Sequence, residues 1–100
     1  MRLLMKKARE DRRKAIGLRL KESRLASGFT QEEIAVHLEL KAQTVSSWER
    51  GKSMPKADEW YALGPLLGVS LDYLVYGIRT IPVGQSTIMG AVFRPTTATV

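Results

Sequence analysis

Two short amphipathic segments at a fixed separation constrain this chain more than any other feature. The first, Phe29-Thr30-Gln31-Glu32-Glu33-Ile34-Ala35, carries a reciprocal helix start. The Thr30 hydroxyl can accept from the amide of Glu33 while the Glu33 carboxylate reaches back to the amide of Thr30, and this capping box predicts a helix beginning at Gln31. Phe29 before the cap and Ile34 one turn in can form the staple that sets the angle at which the chain enters. Ile34, Ala35 and Leu38 then recur at helical period, and the short Ala35 side chain lets another helix cross closely. The second segment ends in Val45-Ser46-Ser47-Trp48-Glu49-Arg50-Gly51-Lys52. It turns Val45 and Trp48 inward, with Leu40 beside them, and leaves Lys41, Ala42, Gln43, Ser46 and Ser47 on an outer face that is short, polar and nearly uncharged. A break of about four residues separates the two helices, the spacing with which a chain presents one helix to a DNA groove.

The flanking sequence reads as further helices. One runs to Ser27 with Ile16, Leu20 and Leu25 expected in the core, and Gly28 ends it in a left-handed turn. Gly51 supplies a similar turn after the second segment. Another helix begins near Pro55 and carries Trp60 and Leu63 inward; a last one begins at Ser70, whose hydroxyl caps it while Leu71 and Leu74 pack. Trp48, Trp60 and Tyr73 are expected as core. With 100 residues and 44% hydrophobic content, the chain makes one small domain with a modest core, and no second, enzymatic domain fits.

Charge is unevenly placed. The chain carries 16 Lys plus Arg against 10 Asp plus Glu, a formal net charge of +6, which favours an anionic partner, nucleic acid first among them. Residues 1–24 hold ten cations against three carboxylates, and the remainder holds six against seven. Residues 1–14 therefore form a basic N-terminal extension. Three readings of it stand: a solvated continuation of the first helix, an arm over DNA phosphates, and, with Leu3, Leu4 and Met5, a weak membrane-surface helix. There are no cysteines, which removes disulfides and thiolate metal sites and suits a cytoplasmic location. Neither a signal peptide nor a membrane span is expected.

Over Ile16 to Gly77 the chain resembles the helix-turn-helix family of phage repressors and Cro-like (XRE-type) transcriptional regulators. The resemblance is carried by Arg24, Gly28, Thr30-Gln31, Ala35, Val45, Trp48-Glu49-Arg50-Gly51-Lys52, Pro55 and Leu67-Gly68-Val69-Ser70-Leu71-Asp72-Tyr73-Leu74. It implies an all-α, compact five-helix domain over residues 15–77, with the second helix across the DNA backbone and the third in the major groove. It also implies a buried, structural ion pair between Arg24 and Glu49. Three departures from the family pattern stand out. Glu39 occupies a turn position where glycine is usual, at a strain on the order of 1 kcal/mol. Lys41 replaces the Ser or Thr that normally caps the third helix. Gly64-Pro65 weakens the fourth helix, which is expected to kink or end early.

The partner implied is double-stranded DNA, bound by a homodimer, because one short helix reads too few base pairs. Positioning on phosphates falls to the backbone amide of Gln31 at a helix start, and to Lys41, Arg50 and Lys52. Gln43 is the candidate reader, since its carboxamide matches adenine's N6 and N7 edge and can also donate to guanine. Ala42 can touch only a thymine methyl and Ser47 can bond several bases, so both read weakly; Ser46 shares their DNA-facing edge, and Thr44 either contacts a phosphate or packs. With so few strong readers, DNA shape is expected to contribute.

Enzymatic readings find little here. His37 is the only histidine and lies on the outward side of its helix; Glu32-Glu33 and Asp58-Glu59 are first-turn acids that suit the helix dipole. No cofactor, metal or small-molecule ligand is expected. The competing reading is a protein-interaction module, such as an antitoxin or anti-repressor subunit, on the same fold. Residues 78–100 are rich in β-branched residues punctuated by Pro82, Gly84, Gly90 and Pro95, and read as a strand-forming dimerisation element, a disordered tail or a site for another protein.

Overall fold

A computed structural model describes residues 2–79 as five helices in the order α1 (Arg2–Ala26), α2 (Gln31–Leu38), α3 (Ala42–Glu49), α4 (Ala57–Leu67) and α5 (Leu71–Tyr76). The readings of the C-terminal tail concern residues 78–100, of which 80–100 lie outside the described residues. Leu20, Ile34, Ala35, Val45, Trp48, Leu63, Leu67 and Leu74 make the core, with Ile16, Phe29, Leu38, Leu40, Trp60 and Tyr73 packed on its edge. All five helices contribute, so no pair of them buries its apolar stripe alone.

Local chemistry explains the starts. The Thr30 hydroxyl accepts from the Glu33 amide at 3.0 Å, and the Thr30 amide donates to the Glu33 carboxylate at 2.8 Å, with Gln31 the first helical residue. The Ser70 hydroxyl accepts from the Tyr73 amide at 3.0 Å and opens α5. The Lys56 amide donates to Glu59 at 2.7 Å at the start of α4. At α3 the residue before the first turn is Lys41, whose side chain makes no capping hydrogen bond. The turn between α2 and α3 passes through Glu39 at φ 59°, ψ 45°, the left-handed conformation, and the Leu40 amide then donates to the Ala35 carbonyl at 2.8 Å.

Three expectations are corrected. Leu25 is 58% exposed. Five residues beyond Leu20 lie about 140° around a helix, so the core side of that turn is taken by Ser23 and Arg24, both buried. Leu71, at the first position of α5, is 40% exposed, and Leu74 and Leu67 fill the core in its place. The fourth helix does not end at Pro65 but continues to Leu67. Pro65 sits in the last turn, where the amide it lacks would have faced Tyr61; both residues are exposed, so water can serve the free carbonyl. Gly68 at φ 71° then closes the helix, its amide and that of Val69 donating back to Pro65 and Gly64.

Two ties hold the helix ends together. Arg19 on α1 donates from Nε to the Leu74 carbonyl at 3.0 Å and from Nη2 to the Val75 carbonyl at 2.9 Å, placing a cation on the orphan carbonyls of α5. Ser27 donates from its hydroxyl to the Leu67 carbonyl at the end of α4, at 3.0 Å. Among the described residues no helix is long and apolar enough to cross a membrane.

Candidate nucleic-acid interface

The side of α3 that faces the protein is locked from three directions. Val45 and Trp48 are buried in the core. Glu49 at the last position of the helix accepts from Arg24 Nε at 2.6 Å and Nη2 at 3.0 Å, and from the Gln31 side-chain amide at 2.9 Å. Arg24 uses its remaining nitrogen on the Phe29 carbonyl at 2.8 Å. The Arg24 and Glu49 side chains are 9% and 5% exposed, so this is a buried, two-pronged pair joining α1 to α3. The hydrogen bond to Glu49 raises the Arg24 guanidinium above its ordinary pKa against the opposing effect of burial, and the group stays charged. The part of Gln31 escaped sequence reasoning. Its side chain ties the start of α2 into the same cluster, leaving its backbone amide in the first turn, where no preceding carbonyl can pair it.

Gly17 sets how close α1 and α3 come. A Cβ placed on it would stand 2.4 Å from the Trp48 carbonyl oxygen and 2.7 Å from that of Glu49, so only glycine permits this crossing. A glycine inside a helix gives no such signal in sequence, because the atoms it must avoid are some thirty positions away.

The opposite side of α3 is turned outward. Lys41, Gln43 and Arg50 are exposed, and Ala42, Thr44, Ser46 and Ser47 are half-buried. Gln43, Ser46, Ser47 and Arg50 recur at helical spacing and line one edge. Ser46 receives a long hydrogen bond, 3.4 Å, from Arg50 Nε. The Ser47 hydroxyl is 2.8 Å from that of Ser53, and the Lys52 amide donates to the Ser47 carbonyl at 2.9 Å. Ser47 thus holds the loop after α3, which leaves it less free to read a base than the sequence suggested. Thr44 falls on the same helical side as Lys41 and Trp48. Lys52 is exposed in the loop, and His37 on α2 is exposed and stands edge-on to Phe29, with ring centres 5.7 Å apart.

A helix-turn-helix family model matches residues 20–74, more than half of the chain. The chain belongs to the helix-turn-helix family. It is 39% identical over 61 residues to the HTH-type transcriptional regulator ImmR of Bacillus subtilis, a match covering 61% of this chain and 48% of that protein. It is 36% identical over 61 residues to the SPbeta prophage-derived regulator YonR of the same organism, covering 61% of this chain and 56% of YonR. It is 36% identical over 74 residues to the HTH-type transcriptional regulator y4dJ of Sinorhizobium fredii, covering 74% of this chain and 96% of y4dJ. The chain thus spans about half the length of ImmR and YonR and nearly all of y4dJ. These relatives carry the names of transcriptional regulators, and the residues matched by the family model, 20–74, span the capped helix, the turn and α3.

Proposed function

We propose that this protein is a sequence-specific regulator of transcription that binds double-stranded DNA as a dimer, sets α3 in the major groove and acts as a repressor. The observation that carries this reading is the two-sidedness of α3: one side is fastened by Val45, Trp48 and Glu49, while the other presents Gln43 and short side chains to solvent. The Gln31 amide, Lys41, Arg50 and Lys52 position the protein on phosphates, and Gln43 reads a base edge, with Ala42 and Ser46 as weak contributors. Repression is favoured by the resemblance to phage repressors and by the prophage origin named for YonR.

Binding of duplexes selected from random DNA, titrated with salt, tests this. Log K should fall with log salt by about 0.9 for each phosphate neutralised. A purified chain that ignores every duplex at low ionic strength would refute the proposal. Solution mass with and without the selected duplex tests the dimer, and a reporter behind that sequence tests repression.

One observation favours a protein-binding reading instead. Tyr61, 83% exposed, and Leu71 flank an open, largely apolar groove between α4 and α5. On that reading the chain would bind a protein with little dependence on salt and leave selected DNA unretained.

A further inference from the structure

The first half of α1 meets the loop after α3 in a way that DNA reading by α3 alone does not require. Gly51 has φ +74°, and a Cβ placed on it would stand 2.9 Å from the Cα and the backbone nitrogen of Lys14, so the loop touches the α1 backbone there. The approach gathers Arg13, Lys14, Arg50 and Lys52 around an open cleft of about 240 Å³, in which Glu10 is the one carboxylate among the described residues. The two ion pairs among the described residues, Lys7–Asp11 and Arg24–Glu49, use none of these four cations. Arg13 Nε is buried without a hydrogen-bond partner among the described residues. Four cations around one cleft repel each other, and an anion in the cleft relieves that repulsion.

We propose that in this cleft Arg13 and Lys14 join Arg50 and Lys52, already assigned to phosphates, to form a second phosphate site that takes a backbone phosphodiester of the duplex outside the base pairs faced by α3. The proposal rests on the DNA reading above. Arg50 and Lys52 follow directly on the last turn of α3, so a strand lying along the outer edge of that helix continues past the cleft. Residues 10, 13, 14 and 17 share one side of α1 at helical spacing, and Lys6 and Lys7 extend that side by one more turn away from Gly17. Along that side Arg13 and Lys14 stand nearest the end of α3, with Glu10 next, and Lys6 and the Asp11-paired Lys7 beyond it. Among the described residues no aromatic side chain lines the cleft to stack a base, which suits a sugar–phosphate backbone better than a free nucleotide.

The test uses the duplex selected by the wild-type chain, at full length and with its flanks trimmed. Salt titrations compare the wild type with Arg13→Gln/Lys14→Gln and with Lys14→Gln alone. The double variant is expected to keep the wild-type sequence preference and to bind the full-length duplex about ten-fold more weakly at low salt, as befits loss of a charge-assisted contact. Its slope of log K against log salt should be smaller by about 0.9, and trimming should no longer weaken it. An unchanged slope and unchanged sensitivity to trimming would overturn the second site while leaving the α3 reading intact. A slope change indifferent to trimming in the wild type would move the phosphate inside the α3 half-site and overturn the flanking assignment. A wild-type chain that binds no duplex would overturn both. Lys14 is exposed, so Lys14→Gln carries the same comparison if the double variant melts below the assay temperature.

Discussion

The two sides of α3 differ in kind. On the inner side Trp48 is buried, Gly17 lets α1 come against the last carbonyls of the helix, and Glu49 accepts three hydrogen bonds from Arg24 and Gln31. On the outer side Gln43 is exposed and Ser46 is held only by a long hydrogen bond from Arg50. A helix fixed in position by half its surface leaves the other half free to change residue type without disturbing the fold. That separation suits a scaffold that must present different outer residues to different ligands.

Substitutions on the inner side are the strongest way to break this contrast. Arg24→Ala strands the Glu49 carboxylate with Gln31 alone, at about 3–5 kcal/mol, which for a domain of this size lowers Tm by more than about 10 °C. An unchanged Tm with weakened DNA binding would make Arg24 a contact residue and dissolve the division. Gly17→Ala forces α1 from the Trp48 and Glu49 carbonyls, at about 1–3 kcal/mol for overpacking, read as an earlier denaturant midpoint. In the turn between α2 and α3, Glu39→Gly should raise stability by up to about 1 kcal/mol, since glycine adopts φ 59° without the Cβ penalty. On the outer side, Gln43→Ala should change stability by less than about 0.5 kcal/mol and relax preference at one base position. Lys52→Ala should weaken specific and random duplexes alike; if both variants acted equally on all sequences, Gln43 would lose its part as reader.

Features decided within a few residues were legible in advance. Thr30 and Glu33 sit three apart and pair as the capping box requires, and Ser70 caps its helix for the same reason. The helical period marked Ile34, Ala35, Val45 and Trp48 as inward. It misled at Leu25, because the turn's core side is occupied by Ser23 and by an arginine whose burial depends on a carboxylate 25 positions away. The helix runs on past Pro65 to Leu67 because a proline in a last turn, on an exposed side, removes a hydrogen bond that water can replace. At the candidate interface Gln43 and Lys41 were placed outward from spacing alone, whereas the ties of Gln31 to Glu49 and Ser47 to Ser53 were not visible.

By itself the sequence determined where helices start, which residues on α2 and α3 face the core, and that the chain's positive charge gathers toward its N-terminus. These follow from capping chemistry and helical period, which act over one or two turns. The tertiary structure alone decided that Gly17 lies under the end of α3, that Arg19 closes α5, and that Lys14 stands against Gly51. Each of those joins residues tens of positions apart, and only the packed core brings them within reach.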